Sequence, residues 1–145
     1  MQYRYRIRLH RAVIDTNVLY SGLYSAGGAS YKLLLLIESG RLVPLLSTTL
    51  MFEYEEVLKR NQARLRLSNR DIDDVLDGLC KHGECRKIHF LWRPQRSDAK
   101  DDHVLELAVA GGAADIVTYN IGDFAQASPF GVRIIKPAVL LGEIK

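Results

Sequence analysis

Arg11-Ala12-Val13-Ile14-Asp15 is a short apolar run that ends in a carboxylate, and it predicts a buried β-strand. Further short β-rich runs follow it and alternate with longer segments of helical periodicity. This alternation is typical of a parallel sheet covered by helices on both faces. The sequence therefore predicts an α/β fold, namely a three-layer α/β/α Rossmann-like domain around a central parallel sheet of about five strands.

The same patterns place the other elements. The further predicted strands are residues 43–46, 86–90, 116–118 and 132–135. The predicted helices are one around 33–37 that Gly40 ends, 50–59, 71–79 with Ser68 or Asn69 as its N-cap, 101–110, and a short last helix opened by Pro137. With no internal repeat or linker, residues 1–145 are predicted to form a single domain.

The composition is that of a globular protein. Hydrophobic residues make up 48% of the 145 residues and charged residues 26%, which excludes a disordered tail, a collagen-like repeat and a disulfide scaffold. The longest apolar run, residues 33–37, is far shorter than the roughly 20 residues of a membrane span. Because the start of the chain also lacks the apolar stretch of a secretory signal, we expect a cytoplasmic protein with no membrane association.

The first ten residues have a pattern of their own. Aromatic and aliphatic side chains alternate there with arginines, in the order Tyr3, Arg4, Tyr5, Arg6, Ile7, Arg8, Leu9. With Arg11 the arginines carry +4 of a net charge of +3, so residues 12–145 sum to −1. Residues 1–10 are thus a basic N-terminal extension, which suits either a solvated tail or strand, or contact with a nucleic-acid backbone.

The two cysteines, Cys80 and Cys85, fit a reducing compartment in which thiols stay free. With His82 and His89 they form a Cys-x-His-x2-Cys-x3-His string, which lacks the C-x2-C or H-x3-H pairs usual at zinc sites. Cys80 shares an apolar helical face with Val75, Leu76 and Leu79. We therefore expect a buried thiol and exposed histidines rather than a structural zinc site.

Candidate site residues follow two of the predicted strands. Ligands of parallel α/β sheets bind at the carboxyl ends of the strands. Asp15 ends the first strand, and Thr118 ends the fourth, with Asn120 and Asp123 close behind it. One such aspartate is more often a helix cap, but several converging carboxylates repel one another and require a compensating charge.

The predicted helix 50–59 carries three glutamates at different positions around its axis. Glu53 flanks the apolar stripe, about 85° from its centre. Glu56 lies much further round, and Glu55 faces away while pairing with Lys59 at i,i+4. Glu53 is therefore the glutamate expected against the sheet, and the alternative is that all three form a solvated face.

The predicted helix 101–110 repeats this argument. Its inner face is predicted to consist of Leu105, Ala108, Val109 and Gly112. Asp101 falls on the same azimuth, Asp102 lies to the side, and His103 is expected to point outward. Acids in a first helical turn also favour the helix dipole, so a purely stabilising role is the alternative.

These carboxylates come from separate segments, and no Lys or Arg partner lies nearby in sequence to match them. A hard divalent cation, Mg²⁺ or Mn²⁺, neutralises such a cluster best because it prefers oxygen ligands. Water activated by the ion is a nucleophile for phosphodiester hydrolysis, and a second ion stabilises the leaving oxygen. No phosphate-binding glycine loop and no Ser/His/Asp motif is present, so nucleoside triphosphate hydrolysis and acyl transfer lack support.

Four segments resemble the motifs of PIN domains, and of their bacterial toxin branch (VapC-like) in particular. Val-Ile-Asp-Thr-Asn-Val-Leu at residues 13–19 resembles the opening motif. Residues 50–58 resemble the helix of the second acid, 100–108 the helix of the third acid, and 116–124 the fourth motif. The four occur in order over roughly residues 11–140.

The resemblance implies a Mg²⁺- or Mn²⁺-dependent endoribonuclease, often a homodimer and often the toxin of a toxin–antitoxin pair. Its partners would be an RNA substrate and an antitoxin protein. The implied catalytic residues are Asp15, Glu53, Asp101, Asp102 and Asp123, and the implied metal ligands are Asp15, Glu53, Asp101 or Asp102, and Asp123. Thr16, Asn17, Thr118 and Asn120 would orient them.

One position departs from the family pattern. Many members have Asp where this chain has Asn120, and an amide leaves one charge fewer for a metal. Asp123, one helical turn further on, would then substitute for it as a ligand. Binding of a first metal ion does not depend on this position, whereas tight binding of a second metal ion stays open.

Two other functions remain open from the sequence. Asn120 favours a PIN-like module that binds RNA or a protein without cleaving. A phosphoacceptor receiver domain has a similar size and strand pattern, but it requires two acids after strand one and an Asp after strand three. Here a single Asp follows strand one, and strand three leads into His89-Phe90-Leu91.

Overall fold

The computed structural model describes residues 9–87, 99–113 and 115–144, with the side chains of residues 99–102 and 125–129 outside the description. Its strands form one five-stranded sheet in the order β3-β2-β1-β4-β5. They are β1 (His10–Ile14), β2 (Leu42–Leu46), β3 (Glu84–Cys85), β4 (Asp115–Val117) and β5 (Arg133–Ile135). All four pairings are parallel, which confirms the predicted α/β fold.

The described helices connect these strands. They are α1 (Thr16–Tyr24), α2 (Ala29–Glu38), α3 (Thr48–Arg60), α4 (Gln62–Leu65), α5 (Asn69–His82), α6 (Ala99–Gly111) and α7 (Pro137–Glu143), with a 3₁₀ segment at Ile121–Phe130. Local signals account for several ends. The Ser68 hydroxyl and the Asp71 carboxylate form a capping box at the start of α5, and Gly40 after α2 has a φ of 82°.

The central strand β1 is covered on both faces. Ala12, Val13 and Ile14 are at most 2% exposed. Because successive strand residues point to opposite faces, burial of all three requires a helical layer on each side of the sheet. Helix α6 packs against β1, β2 and β4, while α2 and α5 pack against β2.

One hydrogen bond joins α3 to the end of β1. The Tyr54 hydroxyl donates to the Ile14 backbone oxygen at 2.5 Å, and both residues are buried. Each is the sequence neighbour of a predicted acid, since Glu53 precedes Tyr54 and Asp15 follows Ile14. The contact therefore fixes the position of the α3 backbone relative to the carboxyl end of β1.

The third strand differs from its prediction. It consists of Glu84–Cys85, paired with Leu45 and Leu46. Arg86 follows the strand and still donates a backbone hydrogen bond to the Leu46 oxygen at 2.8 Å. The remainder of the predicted strand, residues 88–90, lies outside the described residues. A strand of only two residues has too short a pattern to be located by alternation.

Cys80 also differs from expectation, because it is exposed rather than buried. The buried residues of α5 are Ile72 and Leu79, and this helical phase turns Cys80 to the surface. Cys85 is exposed as well.

Arg11 belongs to the fold rather than to the basic extension. Its guanidinium bridges Glu84 at 2.6 Å and the Gly111 backbone oxygen at 2.7 Å. Its charge is thus used within the domain, and residues 1–8 of the extension lie outside the described residues. Among the helices that the structure describes, none has the length and apolar character needed to cross a membrane.

Candidate active site

Asp15 occupies the turn between β1 and α1, at the carboxyl edge of the sheet. Its Oδ1 accepts a hydrogen bond from the Thr16 backbone N–H at 2.9 Å, and its Oδ2 accepts from the Thr118 hydroxyl at 2.7 Å. The pKa of the Asp15 carboxyl is raised above its ordinary value, chiefly by burial. The two hydrogen bonds partly offset this increase, and the nearby charge of Glu53 adds to it. The carboxylate therefore combines the part of a helix cap with a position close to a second acid.

Glu53 reaches the same place from α3. One of its oxygens accepts a hydrogen bond from the Thr16 hydroxyl, and the other lies 3.0 Å from Nε2 of His103. Its side chain is 22% exposed, whereas Glu55 is 34% exposed and forms the predicted ion pair with Lys59. Thr16 thus hydrogen-bonds to both carboxylates, through its backbone to Asp15 and through its side chain to Glu53.

The end of β4 completes a polar network around Asp15. Val117 lies opposite Ile14, so the residues that follow β1 and β4 leave the sheet side by side. The Asn120 backbone N–H donates to the Thr118 hydroxyl at 2.9 Å. The Asn17 amide lies 3.4 Å from both Thr118 Oγ1 and Asp15 Oδ2. The residues proposed to orient the acids are therefore all near Asp15.

His103 was predicted to point outward, and this prediction is wrong. The residue is buried, 7% exposed, and faces Glu53. Of the four residues predicted on the inner face, Leu105 and Ala108 are buried, whereas Val109 and Gly112 are exposed. Val104 and Leu107, which were not predicted there, are buried as well. Because α6 is apolar on most of its circumference, several helical phases are compatible with its sequence. The i, i+3, i+4, i+7 stripe Val104, Leu107, Ala108, Gly111 is the signal that would have located His103 next to the core.

For the other predicted acids, the structure describes fewer contacts. The backbone at Asp101 and Asp102 forms the first turns of α6, and their side chains lie outside the description. Asp123 is exposed at the start of the 3₁₀ segment, where its backbone N–H donates to the Asn120 oxygen at 3.1 Å. Within the described residues, no hydrogen bond connects the Asp123 side chain to Asp15 or Glu53.

The donor set of this edge fits a hard divalent cation. Asp15 and Glu53 are carboxylates held near each other, the type of ligand that Mg²⁺ and Mn²⁺ prefer. Among side chains that the structure describes, no group of three or more His, Cys, Asp or Glu is arranged to hold a metal ion. The described part therefore supplies two acids of such a site. Of the Cys-x-His-x2-Cys-x3-His string, Cys80, His82 and Cys85 are among the described residues and His89 lies outside them.

An open cavity of about 700 Å³ lies beside Glu53 and His103. The described residues that line it include Phe52, Glu53, Arg60 and His103. Glu53 is thus accessible to a ligand larger than an ion.

The molecule is therefore an α/β domain with a carboxylate pair at the carboxyl edge of a parallel sheet. It belongs to the PIN domain family, whose sequence profile matches residues 11–122 and whose members are generally nucleases. A comparison with curated proteins finds no match. Among solved structures, the fold is similar to that of a chain in the crystal structure of VapBC2 from Rickettsia felis bound to a DNA fragment from their promoter. The TM-score is 0.57 at 15% identity, and the match covers 86% of this chain and 98% of that one.

Proposed function

We propose that the protein is a divalent-metal-dependent endoribonuclease. The observation that carries this proposal is the meeting of Asp15 and Glu53, which hydrogen bonds from one residue, Thr16, tie together at the open edge of the sheet. Membership of a nuclease family supports it. Glu53 lines an open cavity, so a cation held by the pair would be accessible to an RNA phosphate.

The chain's own residues have distinct parts in this proposal. Asp15 and Glu53 would hold Mg²⁺ or Mn²⁺ together with Asp101 or Asp102, and Asp123 would contribute when substrate is present. Thr118 and Asn17 keep Asp15 oriented through their hydrogen bonds to Oδ2. When bound, such a cation supplies Lewis-acid chemistry, in that it offsets phosphate charge and activates water.

We further propose that this nuclease is the toxin of a toxin–antitoxin pair. The likeness of its fold to a chain of VapBC2 supports this role, and the partner would then be an antitoxin protein. A neighbouring reading frame for a short DNA-binding protein, and the isolation of a complex from co-expression, are the expected results. We also propose that the toxin is a cytoplasmic homodimer, for which light scattering on the purified protein should give about twice the 16.4 kDa chain mass.

Cleavage of single-stranded RNA tests the enzymatic proposal. The parent protein with added Mn²⁺ should cleave an end-labelled RNA at internal positions, and chelation should stop the reaction. Asp15→Asn removes one charge with little change of shape, so it should bind RNA and fail to cleave it. RNA that is bound but left intact by the parent under all metal conditions would instead support a non-cleaving binding module, the function that Asn120 favours.

A further inference from the structure

We infer that His103 is a positioning residue for Glu53, and that its Nε2–H holds the Glu53 carboxylate in the orientation that binds the cation. This inference rests on the proposed function. It assigns a role to His103, which is not one of the acidic residues of the four motifs. It stands on the 3.0 Å contact, on the burial of the ring and on the bonding of its two nitrogens.

The direction of the hydrogen bond follows from the chemistry of the pair. An ionised carboxylate only accepts hydrogen bonds, so Nε2 of His103 must be the donor to Glu53 Oε1. In its neutral form the imidazole then carries its proton on Nε2 and a lone pair on Nδ1. One tautomer is thus selected by Glu53.

The surroundings of Nδ1 indicate that His103 does more than fill space in the core. Nδ1 of His103 is buried and has no hydrogen-bond partner within the described part of the chain. A buried polar atom without a partner is unfavourable, so packing alone does not favour an imidazole over an apolar side chain here. The contact with Glu53 is what an imidazole provides at this position and a leucine does not.

The hydrogen bond between His103 and Glu53 also connects helix α6 to helix α3. His103 lies on α6 directly after Asp101 and Asp102, whereas Glu53 lies on α3. Thr16 holds the other Glu53 oxygen from α1. Together the two contacts fix the carboxylate between α1 and α6, so the same hydrogen bond sets the first turns of α6 relative to Glu53.

Mn²⁺ titration calorimetry on the full-length, metal-free protein tests the inference. His103→Gln keeps an N–H donor near the Nε2 position, whereas His103→Asn keeps a donor only near Nδ1, and His103→Leu has none. We expect the Gln variant to bind Mn²⁺ within about threefold of the parent, and the Asn and Leu variants to bind about 10- to 100-fold more weakly, as is usual when the partner of a metal ligand is lost. Leu107→Ala, a packing change on the same helix that removes no hydrogen-bond donor, is the matched control for lost stability.

Two results would overturn the inference. One is Mn²⁺ affinity in His103→Leu equal to the parent's, and the other is a loss in His103→Gln as large as in His103→Leu. If the parent itself binds no Mn²⁺ and cleaves no RNA, the proposed function fails, and ¹⁵N NMR of the imidazole then decides separately whether the Nε2–H of His103 holds Glu53. The Nε2–H tautomer, with its signal shifted in Glu53→Ala, is expected, while an Nδ1–H tautomer contradicts the contact.

Discussion

The Thr16 hydroxyl donates a hydrogen bond to the carboxylate of Glu53, a residue 37 positions further along the chain. The backbone N–H of the same threonine donates to Asp15 at 2.9 Å. Two acids from different elements are therefore held together by one residue at the start of α1. The position of the Glu53 carboxylate consequently depends on a side chain that is itself neither acidic nor basic.

Thr16→Val should weaken Mn²⁺ binding because it keeps the shape of the side chain and removes the donor to Glu53. The expected loss of affinity is about 10- to 100-fold, since partners that orient a metal ligand typically contribute that much. Thr16→Ser restores the hydroxyl and should bind like the parent. Equal Mn²⁺ affinity in the Val and parent proteins, measured by titration calorimetry, would show that Thr16 does not orient Glu53.

Of the three glutamates of α3, only Glu53 should be needed for Mn²⁺ binding and RNA cleavage. Glu53→Gln should weaken Mn²⁺ binding at least about tenfold and abolish RNA cleavage. Glu55→Gln loses a surface ion pair with Lys59, so it should change stability by about 0.5 kcal/mol or less and leave both activities intact. Cleavage assays on the two variants and on Glu56→Gln check this, and an equally inactive Glu55→Gln would refute the assignment of Glu53.

Tyr54→Phe should lower the free energy of unfolding by about 1–2 kcal/mol because it removes a buried hydrogen bond to the Ile14 carbonyl. Urea unfolding followed by circular dichroism measures the change. Tyr119→Phe is the matched control, because its hydroxyl bonds to Ser30 from a ring that is 42% exposed. A Tyr54→Phe protein as stable as the parent would mean that packing alone places α3 against β1.

Sequence periodicity was sufficient for the fold and for part of the candidate site. The apolar runs at β1 and β4 end where Asp15 and Thr118 stand, so parallel pairing alone brings these two residues to one edge. On α3 the buried residues Leu50, Tyr54 and Leu58 follow the predicted stripe, which turns Glu53 toward the sheet.

Where periodicity was ambiguous, the prediction failed. Helix α6 has apolar residues on most sides, so its phase, and with it the burial of His103, is decided by packing against the sheet. The contact of Thr16 with Glu53 also depends on how α1 and α3 pack, which no local pattern encodes. The 3₁₀ segment that begins at Ile121 was not predicted either, because such turns have no repeating pattern.

Asn120→Asp should tighten Mn²⁺ binding to the free protein. The Asn120 backbone N–H donates to the Thr118 hydroxyl, which in turn donates to Asp15, so a carboxylate at this position adds charge close to the proposed cation site. A second cation needs a further anion, which RNA phosphate would otherwise provide. Calorimetry without RNA measures the effect, and an unchanged Mn²⁺ affinity would place the Asn120 side chain outside the site.

Asp123→Asn should reduce cleavage more than it reduces RNA binding. Asp123 is exposed near Asn120, and we expect it to act once substrate is present. Cleavage and binding assays on one RNA compare the two effects. Cleavage at the parental rate would make Asp123 a cap of the 3₁₀ segment only.

Deleting residues 1–8 should weaken RNA binding and make it less dependent on salt. The deletion removes Arg4, Arg6 and Arg8 and leaves Arg11 in its ion pair with Glu84. If each lost arginine contacts a phosphate, the slope of log K against log salt falls by about 2 in all on single-stranded RNA. An unchanged slope over a salt titration would leave the extension without a part in RNA binding.

The proposed function requires that Asp15 and Glu53 act as one cation site. Mn²⁺ titration calorimetry on the metal-free parent, Asp15→Asn and Glu53→Gln proteins tests that claim most directly. We expect Mn²⁺ to bind the parent and to bind either single variant at least about tenfold more weakly. The double variant should be little worse than either single one, because the two carboxylates serve the same ion. Binding of Mn²⁺ to Asp15→Asn with the affinity of the parent would contradict that claim.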